Sequence, residues 1–376
     1  MARVPKLSRR IRWAIPVGAL VVTSAVMAGS LISVAQASPG LPSRTPAQLL
    51  AQVADSVTPP LTGTVVETTS LGLPSLPGTA NPTSIASLLT GSHTVRVWYS
   101  GPRHFRLAVP EPLSETDVIA DGNTAWQWES TANAVTEYSL PAEAKAPQAA
   151  PTTAPLTPQQ AAQQVLAAVG PTTTVSVDSN VTVAGQPAYE LVLAPKDSRS
   201  LVGQVQIAID GKNGVPLRLQ VYTRGASSPA FGVGYTSIQF VTPAPADLTF
   251  TPPPGATVTR VNLSAPSGSD RMQGDVSTIG SGWLTVLDLP SAGLTAPSGS
   301  RSGNSPSGDS AAVLNALLLS ATPVSGAWGS GRLLRTSLVS VLITAGGRTF
   351  VGAVQPSVLY AAAGQAPAGS SSTQAP

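Results

Sequence analysis

The residues able to do chemistry are few, and none of them gathers into a recognisable site. There are two histidines, His93 and His104, and no cysteine. Without cysteine there are no disulfides, no thiolate metal ligands, no Cys nucleophile and no lipid anchor on a Cys after a leader. A histidine metal site needs further acids or histidines placed with it. His104 sits instead in a strand pattern between Arg103 and Arg106. The segment Gly326-Ala327-Trp328-Gly329-Ser330-Gly331-Arg332 is rich in glycine but lacks the Gly-Lys-Ser/Thr ending of a phosphate loop. Its glycines read as a bend or bulge before a strand. No Gly-x-Ser-x-Gly elbow precedes a helix with histidine support, and nothing selects a carboxylate pair from the scattered acids. No catalytic residue, metal or cofactor is implied, and the chain is read as a non-enzyme.

The elements that would position a site begin after residue 37. Arg3, Lys6, Arg9, Arg10 and Arg12 precede an apolar stretch from Trp13 to Ile32, and Ala35-Gln36-Ala37 offers small residues for cleavage. This is the pattern of a secretory signal. The stretch also has the length of a membrane anchor. Either reading makes the rest extracytoplasmic, secreted or associated with the cell envelope. Removing five positive charges takes the net charge from +3 to −2, so no basic face remains for nucleic acid. Only 10% of residues are charged, and there are 34 glycines and 36 prolines. Turns must be plentiful, which favours a β-rich chain. The Ala/Pro/Gly-heavy composition points to a high-GC bacterium such as an actinobacterium.

Thr45 to Val57 reads as an amphipathic helix, with Thr45 as N-cap, Pro46 at its first position and Gln48 three residues on. A second helix is expected from Pro158 to Val169, ended by Gly170-Pro171. Neither is long enough to persist without a partner. Strands with polar/apolar alternation fill the space around them. Thr94 to Tyr99, His104 to Val109, Glu115 to Ala120 and Thr124 to Trp128 run as a meander, and Asp121-Gly122 is a hairpin signal. Further strands are expected between Thr173 and Val241. Trp126 and Trp128 are two apart on one strand and share a face. That face either lines an apolar cavity or packs as ordinary core. Arg103 and Arg106 flank Phe105; Arg106 falls on the opposite face, and both read as solvated surface.

Five pieces together carry a resemblance. They are Tyr99-Ser100-Gly101-Pro102-Arg103-His104-Phe105-Arg106; Asp121-Gly122-Asn123-Thr124-Ala125-Trp126-Gln127-Trp128; Gly185 to Pro195; Ile207-Ala208-Ile209-Asp210 with Gly214-Val215-Pro216-Leu217-Arg218; and Phe250 before Pro252-Pro253-Pro254-Gly255-Ala256. In order and spacing over about residues 44–260, the chain resembles the LolA/LolB-like lipoprotein carrier superfamily, including RseB/MucB-type periplasmic sensors. The resemblance implies an α+β fold: a curved, unclosed antiparallel β-barrel with helices on its concave face. It implies an apolar cavity for acyl chains, lined by Trp98, Phe105, Trp126, Trp128 and Tyr189. The partners implied are lipid or lipoprotein acyl chains, or an anti-sigma factor or other membrane-protein ectodomain. Residues 1–37 are then the leader, 44–260 the carrier-like domain, 261–281 a linker, 282–363 a small C-terminal α+β unit and 364–376 a disordered tail. In that unit, strands are expected over 282–289, 338–344 and 349–354, and helices over 310–319 and 356–363.

Overall fold

The computed structural model describes residues 40–72, 90–140, 170–262, 277–290, 317 and 319–365. The expected leader, the helix over 158–169, most of the helix over 310–319 and the tail from residue 366 lie outside the described residues. Helix α1 spans Pro46–Asp55. Its start is a capping box: the Thr45 hydroxyl accepts from Gln48 N at 3.3 Å, and Gln48 Oε1 accepts from Thr45 N at 2.9 Å. The apolar stripe of α1 sets the fully buried Leu49 against Tyr189, Leu191 and Ile209.

One meander comprises β1 (Leu61–Ser70), β2 (Thr90–Gly101), β3 (His104–Pro110), β4 (Glu115–Asp121), β5 (Thr124–Glu129) and β6 (Ala134–Ser139). The Asp-Gly signal does close the β4–β5 hairpin, with Gly122 at φ +63, a region glycine enters without strain. A second run comprises β7 (Thr173–Val177), β8 (Val181–Val183), β9 (Gln186–Pro195), β10 (Val202–Asp210), β11 (Pro216–Thr223) and β12 (Phe231–Gln239). Pairing of β12 with β1 joins the two runs into one sheet. A short helix, α2 (Pro245–Leu248), then leads to β13 (Thr257–Asn262). The sheet order is β13-β6-β5-β4-β3-β2-β1-β12-β11-β10-β9-β7, with β8 on β9. Its two edges lie at opposite ends, so the sheet is open. In one respect it departs from the expected antiparallel pattern. β13 runs parallel to β6, because the chain crosses the sheet to reach that edge.

The remaining strands form a smaller antiparallel sheet. They are β14 (Ser277–Ile279), β15 (Val286–Pro290), β16 (Thr322–Gly326), β17 (Gly329–Arg335), β18 (Ser340–Thr344) and β19 (Arg348–Gly352), in the order β14-β15-β19-β18-β17-β16. Helix α3 (Pro356–Gln365) closes its core of Val286, Leu333, Leu342, Phe350, Val354, Leu359 and Ala362. The strand expected over 282–289 starts only at Val286. Gly282 has φ +57 and Thr285 N donates back to its carbonyl, which makes a 3₁₀ turn of Gly282–Leu284.

Among the described residues, hydrogen bonds tie the two sheets together at three places. Leu201 N donates to Ala353 O at 2.9 Å, and Gln355 N to Arg199 O at 2.8 Å. Ser337 N donates to Leu71 O at 2.9 Å, and Trp283 Nε1 to Thr173 Oγ1 at 2.7 Å. Val202, Ala230 and Leu338 are buried beside these joints.

Candidate functional site

Residues directly opposite each other in neighbouring strands point to the same side, so the register divides the large sheet into two faces. One face carries the row Tyr99–Phe105–Ala120–Ala125–Tyr138 and, beside it, Val97–Leu107–Val118. Across β1 it continues as Glu67–Val233–Leu219–Ile207–Leu191. Tyr189 and Ile209 follow along those strands, where α1 packs. Val97, Phe105, Leu107, Val118, Val233, Leu219 and Ile207 are all only half-buried. Burial pushes up the phenols of Tyr99 and of Tyr235, the latter to about 12. Tyr189 itself is fully enclosed: its hydroxyl donates to Pro42 O at 2.7 Å, and the Arg44 guanidinium lies 5.4 Å from its ring centre.

The opposite face carries two rows, Thr62–Trp98–Arg106–Ile119–Trp126–Glu137 and Arg96–Ala108–Asp117–Trp128–Val135. Phe250 closes on this face, with ring centres 6.0 Å from Trp126 and 6.4 Å from Trp128. The Arg106 guanidinium stands 5.5 Å from the Trp98 ring, bonds the Asp117 carboxylate and lies 3.6 Å from Glu115. Asp117 is fully buried. Burial first, and then Glu115 beside it, push its carboxyl up to about 7 against the pull of Arg106. Further along the same face Arg218 pairs with Glu190 at 2.7 Å.

The five residues singled out from the sequence therefore divide. Trp98, Trp126 and Trp128 stand together on the face that Phe250 covers. Phe105 and Tyr189 share the α1 face but are separated by the width of five strands, β2, β1, β12, β11 and β10. Arg106 is not solvated surface, because its charge is taken up by two carboxylates. The Asp117 cluster and Phe250 were missed as partners. The available signal was an acid directly before the apolar run Val118-Ile119-Ala120 of β4, on the same side of the strand as Ile119. His104 lies 3.5 Å from Asp121 at an exposed hairpin end, while His93 is buried. Among the described residues, no three His, Cys, Asp or Glu side chains stand together as a metal site.

No protein-family model matches the sequence, and no curated protein matches it. Solved structures do. The complex of Pseudomonas aeruginosa MucA and MucB is similar at 15% identity and a TM-score of 0.43, over 85% of this chain and 96% of that one. A LolA-superfamily protein from Nitrosomonas europaea matches at 12% identity and a TM-score of 0.21, over 55% of this chain and 99% of that one. An uncharacterized conserved protein from Thermus thermophilus matches at 13% identity and a TM-score of 0.32, over 57% of this chain and 98% of that one. MucB and a LolA-superfamily protein are thus among the solved structures to which this chain is similar.

Proposed function

We propose that this chain is an extracytoplasmic, non-enzymatic binding protein whose α1 face takes an acyl chain of a lipid or lipoprotein. The observation that carries the reading is the apolar, half-buried run from Phe105 and Leu107 through Val97 to Val233, Leu219 and Ile207, walled at one end by α1. An extended chain laid across these strands would meet apolar side chains on β3, β2, β12, β11 and β10; on β1 the row passes Glu67, with Val65 two residues away on the same face. Each buried methylene contributes roughly 0.8 kcal/mol. About sixteen would contribute some 13 kcal/mol, which after an association cost of about 5 kcal/mol leaves the scale of micromolar binding. No polar anchor is needed for that.

The test is a fluorescence titration of the purified chain with an acyl probe, in wild type, Phe105→Glu and Trp126→Ala. Saturable micromolar binding is expected in wild type. It should be lost when a charge enters the α1 face and kept when the opposite face is altered. Absence of binding in wild type overturns the reading. Loss in Trp126→Ala alone would move the ligand to the other face. A second reading, a membrane-protein ectodomain as partner, is favoured by the small sheet. Its edge strand β16 pairs only with β17 among the described residues, which leaves a ladder able to accept a partner's strand. Native mass spectrometry separates the two readings by the mass of what co-purifies.

A further inference from the structure

Residues 240–256 form a strap. They leave β12 in the middle of the large sheet and return as β13 on its far edge, beside β6. On the way α2 packs against β3 and β4, and Phe250 lies on Trp126 and Trp128. The strap therefore roofs the strands that carry Arg106 and Asp117.

Beneath it lies an unbalanced charge cluster. Asp117 is fully buried, and among the described residues its Oδ1 accepts no hydrogen bond from a donor, with only the Glu115 carboxyl beside it; Nε1 of Trp128, the residue directly across, likewise finds no acceptor among the described residues. Arg106 on β3 is shared between Asp117 and Glu115. Arg96 on β2 stands exposed in the same cross-strand row, and Asp247 of the strap is turned to its own helix start, accepting from Ala244 N at 3.2 Å. With Glu115 and Asp117 both ionised, one guanidinium faces two negative charges, and the Asp117 carboxylate is shut off from water. A buried carboxylate without its full set of partners is strongly disfavoured. It can be relieved by taking up a proton or by admitting water, and water enters only where the strap lifts.

We propose that the strap of residues 240–256 is a proton-operated latch: it stays down while the Asp117 carboxyl is protonated and lifts when that carboxyl ionises, uncovering Trp126 and Trp128. The exposed tryptophans would then present an aromatic surface on the side of the sheet opposite the proposed acyl site. The sign follows from linkage. The closed state holds the proton on Asp117 up to about pH 7, whereas an exposed aspartate releases it near 3.8. The closed state therefore binds more protons between those values, and closure weakens as pH rises through that window. With one proton at stake, the ratio of closed to open changes by up to about tenfold per pH unit.

Amide hydrogen exchange on the full chain, corrected for the intrinsic pH dependence of exchange, tests this at Asp247 and Thr249, whose N–H groups donate to Ala244 O and Pro245 O. Their protection should rise at least tenfold from pH 8 to pH 5.5 in wild type. In Asp117→Asn it should be pH-independent. Glu115→Gln removes the like charge and should move the transition to lower pH. That variant keeps the test alive should Asp117→Asn not fold. Strap protection that ignores pH in wild type overturns the latch. So does a wild-type pH response in Asp117→Asn, or an unmoved transition in Glu115→Gln.

Discussion

Truncating Leu49 to alanine should detach α1 from the large sheet. Leu49 is completely buried and touches Tyr189, Leu191 and Ile209. Removing a buried leucine side chain costs about 2–5 kcal/mol, least where the surroundings can collapse. Here three of the neighbours lie on β9 and β10, whose positions are held by ladders on both sides. Collapse is limited, and the expected loss lies in the upper half of that range. The other ties are weaker: the capping box contributes about 1 kcal/mol, and the Tyr189–Pro42 hydrogen bond about the same. A ten-residue helix does not persist alone in water, so the loss should appear as local detachment before global unfolding. Hydrogen exchange at the Leu49 amide, which donates to Thr45 O, reads this directly, and an apolar dye reports the newly open α1 face. A fall in α1 protection of under about 1 kcal/mol, with no gain in dye binding, would refute the packing argument.

Other outcomes follow from particular contacts. Arg348→Ala takes the charged partner from the buried Asp288 carboxylate, leaving it the Ser277 hydroxyl at 3.4 Å, and should destabilise the small sheet by about 3–5 kcal/mol, while Arg348→Met with Asp288→Leu together should be close to neutral in urea unfolding. Gly331→Ala would place a Cβ 2.3 Å from Ile343 O and 3.0 Å from Thr344 Cα, both backbone. It should cost about 1–3 kcal/mol and lower the thermal midpoint. Asp117 is raised to about 7 in the folded chain from an ordinary 3.8. Its stabilising contribution is complete below about pH 4 and lost as pH rises through 7, so the urea midpoint should be higher at pH 5.5 than at pH 8 and the difference should shrink in Asp117→Asn.

Local chemistry made much of this fold legible. Thr45, Pro46 and Gln48 announced the start of α1 because a capping box is satisfied within four residues. Asp121-Gly122 announced the β4–β5 hairpin because its turn needs a residue at positive φ. Alternation located nearly every strand of the two meanders, since a half-buried strand must alternate. The parallel β13 and the strap leading to it were not legible. Thr257 to Asn262 is a short edge strand whose partner lies more than a hundred residues away, and no local signal encodes that pairing. The face assignment of the aromatic residues had the same fate. Alternation placed Phe105 opposite Arg106, and Trp126 with Trp128, but it could not say which face α1 would cover. That depended on β12 joining β1, which sets one meander's sides against the other's, and on Phe250 crossing the sheet. The elements and their turns are written in neighbouring residues and could be read there. Which aromatics stand together, and that Asp117 is buried, emerge only on folding, because both follow from contacts between segments far apart in the chain.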